Sequence, residues 1–459
     1  MFFDFTKKFK FLVLFLFVLL IACEEDKSID ASKDDNLITI SVFSDPHLYD
    51  TTLGTRGEAF QKYLASDRKM LVESEAILQS VIEMISSDNS KIVLVPGDLT
   101  KDGELKNHQK FANYLRQLES KGKKVYVVPG NHDVENPESF SYNGNTPVKV
   151  NSVSATEFKN IYADFGYKEA IATDPNGSLS YIVEPVSGVW IFCLDACRWK
   201  ENSGKSHSTT GGLFSDATLN WIKEKMLEGK QKNKLMLGMM HHNIVEHFDG
   251  QKMLFTDYVV NNWEEVSRTF AENGLKVVFT GHHHAHDARI YQTGNSFILD
   301  IQTSSTVTWP CAIRRIEIDK NWVMKVKSEK ITKINYNTGG KPFQDYAKNK
   351  LVDGLPLIVN AYLKQVGLPD QVVQLLSPLV VDTYISYTHG NEDQFLTPEK
   401  RQAMENAKKS LAGYPQIAPL LAILEGMMKD LEPNDYEFSI NLKTGAFGGI
   451  ATLQPLNQE

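Results

Sequence analysis

Three observations predict an α/β fold extended by a C-terminal helical region. From residue 37 to 280, short apolar runs alternate with amphipathic stretches, the pattern of strands and helices sharing one core. From 287 to 327, four strand-like runs follow one another with no helix between them. Beyond the turn-rich "NYNTGGKPF" the pattern becomes helical.

The elements follow in order. "LITISVF" reads as a strand, and "MLVESEAILQSVIEMI" spaces its apolar residues as a helix does. "KIVLV" and "KKVYVV" are strands on either side of the helix "KNHQKFANYLRQLES". After a loop rich in Asn, Pro and Ser come the strands "SLSYIVEP" and "VWIFCLD", then a helix around "ATLNWIKEKML". "KLMLGMM", a helix around "WEEVSRTFAENG", and "LKVVFT" complete the alternation. The four consecutive strands are "ARIYQTG", "SFILDIQ", "AIRRIEID" and "WVMKVKS". Four helical stretches lie between Tyr346 and Leu431, and "EFSINLK" is a strand expected to return to the first domain. A chain of 459 residues accommodates two or more domains. We expect a catalytic domain over 37–330 and a mainly helical domain over 331–459. "VVQLLSPLVVDTYISY" is apolar enough to brace the sheet, the expected role of the tail.

The N-terminus is a separate segment. Lys7, Lys8 and Lys10 precede an apolar run from Phe11 to Ala22, the layout of an export signal over 1–22. The run ends in "LIAC", which resembles a bacterial lipobox. That resemblance implies a mature chain beginning at Cys23 and anchored to the cell envelope by a lipid on it. Residues 23–36 are polar without apolar period and read as a disordered tether. The acidic start of that tether resembles surface-export signals of Gram-negative lipoproteins.

Composition excludes some functions. The net charge of −8 argues against nucleic-acid binding through a basic patch, while leaving room for an anionic substrate held by metal ions. Beyond Cys23 the cysteines are Cys193, Cys197 and Cys311, an odd set with no C-x-x-C pair and no disulfide framework. Cys193 lies within an apolar strand and is expected to be buried. The sequence has no G-x-S-x-G elbow, Walker loop or GxGxxG.

Five short motifs each follow directly after an expected strand. They are "SDPH" with Asp45 and His47, "PGDL" with Asp98, "PGNHD" with Asn131, His132 and Asp133, "HHN" with His241 and His242, and "FTGHHHAHD" with His282, His283, His284 and His286. In α/β sheets, ligands bind where loops converge at the carboxyl ends of strands. Hard oxygen and imidazole donors suit divalent ions such as Mn, Fe or Zn. Taken singly, each motif has an ordinary explanation as a turn, cap or solvated loop. Five of them at five strand ends do not.

The ordered set D-x-H, GD, GNHD, H and G-H-x-H over residues 40–284 resembles the calcineurin-like metallophosphoesterase superfamily. "GEAFQKYL", "GDLTKDGE", "VVPGNHDVENP", "IYADFGY" and the helical tail are similar to a secreted bacterial branch assigned as cyclic nucleotide phosphodiesterases. The resemblance implies a four-layer α/β/β/α sandwich and two divalent metal ions. It implies Asp45, His47 and His284 on one metal, Asn131, His241 and His282 on the other, and Asp98 bridging. His132 would stand beside the scissile phosphate as the catalytic acid, oriented by Asp133. Asn243 departs from the pattern, since many relatives have proline there. His241 is chosen over His242 because the family's ligand directly follows the strand.

Two such ions about 3.5–4 Å apart share a water and lower its pKa, giving a hydroxide that attacks the phosphorus. The implied substrate is a small-molecule phosphodiester. A phosphomonoesterase on the same site, or a non-catalytic binding lipoprotein, are the alternatives. His242, His247 and Tyr49 are candidate substrate contacts, with Asp50 beside Tyr49. His108 is expected on a helix surface and His389 in a turn. Alternation at a strand end places His282 and His284 on one side and His283 on the other, with His286 outside the ligand set.

Overall fold

The structure, a computed structural model, describes residues 37–450 except Ser66 and Val366. The expected export signal, the tether and Cys23 lie outside the described residues. Within the unit Ile38–Glu459, the strands are β1 (Ile38–Val42), β2 (Ile92–Pro96), β3 (Lys124–Val128), β4 (Phe140–Ser141), β5 (Val148–Lys149), β6 (Ala172–Thr173), β7 (Tyr181–Val186) and β8 (Val189–Leu194). They continue as β9 (Leu235–Met240), β10 (Val277–Thr280), β11 (Asp287–Thr293), β12 (Ser296–Gln302), β13 (Ala312–Ile318), β14 (Val323–Lys330), β15 (Glu437–Asn441) and β16 (Phe447–Gly448). The expected strands are found, the four consecutive ones as β11 to β14.

Two large sheets result. The first runs β16-β15-β14-β13-β1-β2-β3 and the second β11-β12-β10-β9-β8-β7-β6. Side chains on a strand alternate between faces, so a strand apolar throughout must be covered on both sides. β2 meets this condition. Its Ile92 and Leu94 join Val42, Ile191, Leu237 and Phe279 in a core between the sheets. Its Val93 and Val95 face outward to Ile77, Val81, Phe111 and Leu115 of the helices Ser74–Ser86 and Leu105–Glu119. On the far side, Phe192, Met236 and Val278 pack against Trp221, Ile222 and Phe270 of the helices Asp216–Gln231 and Trp263–Glu272. The layers are therefore helix, sheet, sheet, helix, as the resemblance implied.

The C-terminal helices are Phe343–Gln365, Asp370–His389, Pro398–Ser410 and Ala418–Met427. Their Leu355, Leu376 and Leu424 belong to the same apolar cluster as Val93 and Ile77. "EFSINLK" returns as expected, with β15 antiparallel to β14 and Val326 opposite Phe438. Fully buried Arg314 donates to the carbonyls of Asp435, Asp287 and Gln302, which ties this return to both sheets. Cys193, Cys197 and Cys311 are free, and Cys193 is buried as expected. Among the described residues, no helix is long and apolar enough to cross a membrane.

A buried ion cluster pins the second sheet. His247 lies between Asp287 and Asp300, with Nδ1 3.2 Å from one carboxylate and Nε2 3.3 Å from the other. Asp300 also accepts from the Ile244 amide and the Thr280 hydroxyl. Burial opposes charge on the ring, but Asp287 and Asp300 outweigh it and raise its pKa to about 10. The free value is near 6.5, so the stabilisation is complete below that pH and is lost as pH rises through about 10. His247→Gln should cost about 3–5 kcal/mol in urea unfolding at pH 6, with the deficit shrinking toward pH 10. A deficit that stays constant with pH would assign the loss to packing alone.

Candidate metal centre

The centre is built where parallel strands end side by side. β1, β2 and β3 are parallel neighbours in one sheet, and β9 and β10 in the other. Beyond the strands the loops stay paired. The Asp45 amide donates to the Gly97 carbonyl and the His47 amide to that of Asp98. The Gly281 amide donates to the His241 carbonyl. The His282 amide then reaches across the sheets to both oxygens of Asp45, 3.1 Å away. Gly130 and Gly281 are required by close approach. A Cβ on Gly130 would overlap Asp98, and one on Gly281 would overlap Ser44 and Asp45.

Two groups of donors result, both buried. Asp45, His47, Asp98 and His284 bring ligand atoms within 4.8 Å of one another, as do Asp98, His241 and His282. Asn131 joins the second group, its Oδ1 3.1 Å from His241 Nε2. All seven expected ligands are thus brought together, with Asp98 common to both groups. One oxygen makes that link. Asp98 Oδ2 lies 3.5 Å from His47 Nε2 and 3.3 Å from His241 Nε2, while Oδ1 accepts from the His132 amide.

The donor set fits cations. His241 Nδ1–H donates to the Pro96 carbonyl at 2.9 Å, so in the neutral ring Nε2 turns a lone pair toward two oxygens. Burial lowers the affinity of that nitrogen for a proton, but Asp98 outweighs it and holds the pKa at about 9. A metal ion held there would displace that proton. His47 Nε2 and His284 Nε2 are 3.0 Å apart. Burial pushes His47, His282 and His284 below the ordinary imidazole range, toward the neutral form that ligates metals. Burial works against the charge of Asp98, yet the imidazoles of His241 and His132 keep it ionised, well below the usual carboxylate range.

Backbone strain gathers here. Asp45, His47, Asp98, His282 and His284 all have positive φ, five of the ten non-glycine residues that do so among the described residues. Positive φ at both His282 and His284 means that strand alternation is not what aims them. The chain turns at each of them instead. His283 points away, as expected, into an aromatic box. Its ring stacks on Tyr258 at 4.0 Å and its Nδ1 meets the Tyr387 hydroxyl at 3.1 Å. His286 is bound to Ser328.

His132 is the half-open imidazole of the site, its side chain 23% exposed. Its Nε2 lies 4.0 Å from Asp98 Oδ2, and its Nδ1 donates to Asp102 at 2.7 Å. The orienting carboxylate is therefore Asp102, which corrects the expectation for Asp133. Asp133 instead accepts from the amides of Gly130, Leu99 and Thr100 and from the Thr100 hydroxyl, so none of its oxygen is left for His132. Burial opposes ionisation of Asp102, but fully buried Lys101, in contact with it, brings the pKa to about 2. Asp102 was within the quoted "GDLTKDGE", where nothing marks which carboxylate the turn aims at His132.

The candidate substrate contacts are also corrected. His242 donates to the Thr210 carbonyl and packs its ring against His241 and His282. His247 is enclosed by its two aspartates. Tyr49 is buried, stacked on Phe60 and bound to the Gly54 carbonyl, and Asp50 caps the turn at Thr52. His108, expected at a surface, is buried between Tyr162 and the Asp133 carbonyl. His389 ends a helix and is mostly buried. The cavity over the metal residues, about 400 Å³, is walled instead by residues that sequence reasoning missed: Arg68, Lys69, Glu138, Ser208, Tyr258 and, from the C-terminal region, Ile358. The adjacent Arg68 and Lys69 between two helices were the one sequence signal for this wall.

Residues 38–286 match the family model of the calcineurin-like phosphoesterases, more than half of the chain, and the protein belongs to that family. It is thus a hydrolase of the phosphoesterase superfamily with the residues of a binuclear metal site gathered at its strand ends. No curated protein matches the chain. Among solved structures, a dimetal phosphatase from Danio rerio aligns at 15% identity and TM-score 0.46, over 64% of this chain and 97% of that one. A purple acid phosphatase from yellow lupin aligns at 10% identity and TM-score 0.41, over 64% and 52%. The NAD nucleotidase of Haemophilus influenzae aligns at 11% identity and TM-score 0.34, over 69% and 56%.

Metal analysis of purified protein should find about two divalent ions per chain. His284→Ala should lose one of them with nearly all activity. His283→Ala should keep both and instead lower the melting temperature, because it empties the aromatic box. Equal metal loss in the two variants would overturn this assignment. Asp102→Asn should reduce activity about 10–100-fold at unchanged metal content. Full activity in that variant would show that Asp102 does not position His132.

Proposed function

We propose that this phosphoesterase hydrolyses phosphodiesters, with cyclic nucleotides among the candidate substrates. The observation that carries the reading is His132. It stands 4.0 Å from Asp98 Oδ2 and combines an open edge on the cavity with a carboxylate grip on its far nitrogen. Asp45, His47, Asp98, Asn131, His241, His282 and His284 would hold two divalent ions, whose chemistry would be Lewis acidity and a nucleophile at neutral pH. The residues do the rest. Asp102 fixes His132 Nδ1, which leaves Nε2 facing the cavity, where a proton passes to the departing alkoxide. Arg68 and Lys69 attract the anion to the cavity mouth.

Two carboxylates on the wall offset its two cations and temper any preference for a dianion. Asp67 and Glu138 share the cavity wall, and Asp67 already engages Lys69 at 3.1 Å. These carboxylates repel a monoester dianion more than a diester monoanion. With added Mn, bis-p-nitrophenyl phosphate should therefore turn over faster than p-nitrophenyl phosphate. A far faster monoester would overturn the diesterase reading. His132→Ala should lose about 10²–10⁴-fold on substrates with alkoxide leaving groups, including 2′,3′- and 3′,5′-cyclic nucleotides. It should lose much less on p-nitrophenyl esters, whose leaving group needs no proton. Equal losses would exclude the acid role.

A further inference from the structure

A second cavity, of about 200 Å³, opens among the C-terminal helices. Its walls are aliphatic and aromatic, among them Leu355, Val380, Leu420 and Phe255. The only charged residue among the described ones that line it is Arg68. Arg68 and Ile358 also line the cavity over the metal residues, so the two spaces adjoin through these side chains. Arg68 is fixed at the junction. Its guanidinium lies over the Tyr384 ring, 4.6 Å from the centroid, and Tyr258 shares the wall on the metal side. Tyr362, which lines the second cavity, is 47% exposed, so part of its wall is open to solvent.

This order of surfaces is amphiphilic: metal residues, then a guanidinium, then an apolar chamber. Guanidinium groups pair with phosphate oxygens, and water in a chamber lined by carbon has few partners and is readily displaced. We infer that the substrate is a phosphodiester with an apolar arm, an alkyl or acyl chain that enters the chamber while the phosphate lies between Arg68 and the metal residues. This rests on the phosphodiesterase reading above. The C-terminal region thereby selects the substrate as well as bracing the sheet.

The test is a chain-length series of p-nitrophenyl phosphodiesters, with methyl, butyl and octyl as the second ester, on the metal-loaded protein below micellar concentrations. The leaving group is constant, so only the arm varies. kcat/KM should rise about fourfold for each methylene buried, until the chamber is full. Leu420→Trp, at a partly exposed wall position, should remove the chain-length preference, and Val380→Phe serves as a second filling variant. Calorimetry should show octyl phosphate binding with a negative heat-capacity change that methyl phosphate lacks and that the filled chamber loses. Turnover of the methyl ester with a flat or falling series would overturn this inference and leave the diesterase reading intact. No turnover of any ester would overturn both.

Discussion

One oxygen atom sets the terms for the rest of this molecule. Asp98 Oδ2 must face imidazoles from both sheets while buried, and a buried charge is tolerated only when partners surround it. Meeting that condition fixes much of the architecture. The other oxygen is occupied by the His132 amide. Gly130 has no side chain, because any would strike the carboxylate. The sheets must stack so that the ends of β1, β2 and β3 meet the ends of β9 and β10. The apolar core between the sheets supplies the energy that holds those ends in place.

That arrangement stores strain. Each non-glycine residue in the left-handed region costs on the order of 1–3 kcal/mol, and five residues of the candidate metal centre sit there. The residue types soften the cost, since Asp and His tolerate this region better than β-branched residues do. Aspartate and histidine therefore serve twice, as donors and as residues able to make the turn. Lys101 shows the same economy one layer out. It is buried on Asp102 and between the rings of Tyr63 and Tyr142, and it keeps ionised the carboxylate that orients His132.

Much of this was legible in the sequence because periodicity and strand-end position are local properties. Runs such as "KIVLV" show that both faces are covered, and the residue just past such a run lies at a sheet edge wherever the strand pairs. The donors that cluster at the strand ends were readable for that reason. What was unreadable depends on direction. Asp102 and Asp133 are both carboxylates in motif loops, and only the turns at Asp98 and Gly130 decide that one meets His132 and the other three amides. His242, His247 and Tyr49 are neighbours of ligands in sequence, but their side chains leave the site for the core. The apolar chamber was unreadable because helical spacing reveals a buried face without revealing that Arg68, about 290 residues earlier than Leu355, will meet it.

The pairing of β15 with β14 also bears on how the chain is made. β14 ends at Lys330 and its partner begins at Glu437, so about a hundred residues of helix and loop separate two strands that lie side by side. At ordinary elongation rates the ribosome needs roughly 5–20 s to traverse that interval. Through that time the amides and carbonyls on one side of β14 have no neighbour, the state in which strands of separate chains join. The face of the sheet carrying Val326 and Met324 is likewise without Phe438 and Ile440. A polypeptide of this design is most exposed to aggregation between the synthesis of β14 and that of β15, and β15 acts as the clasp that ends the exposure.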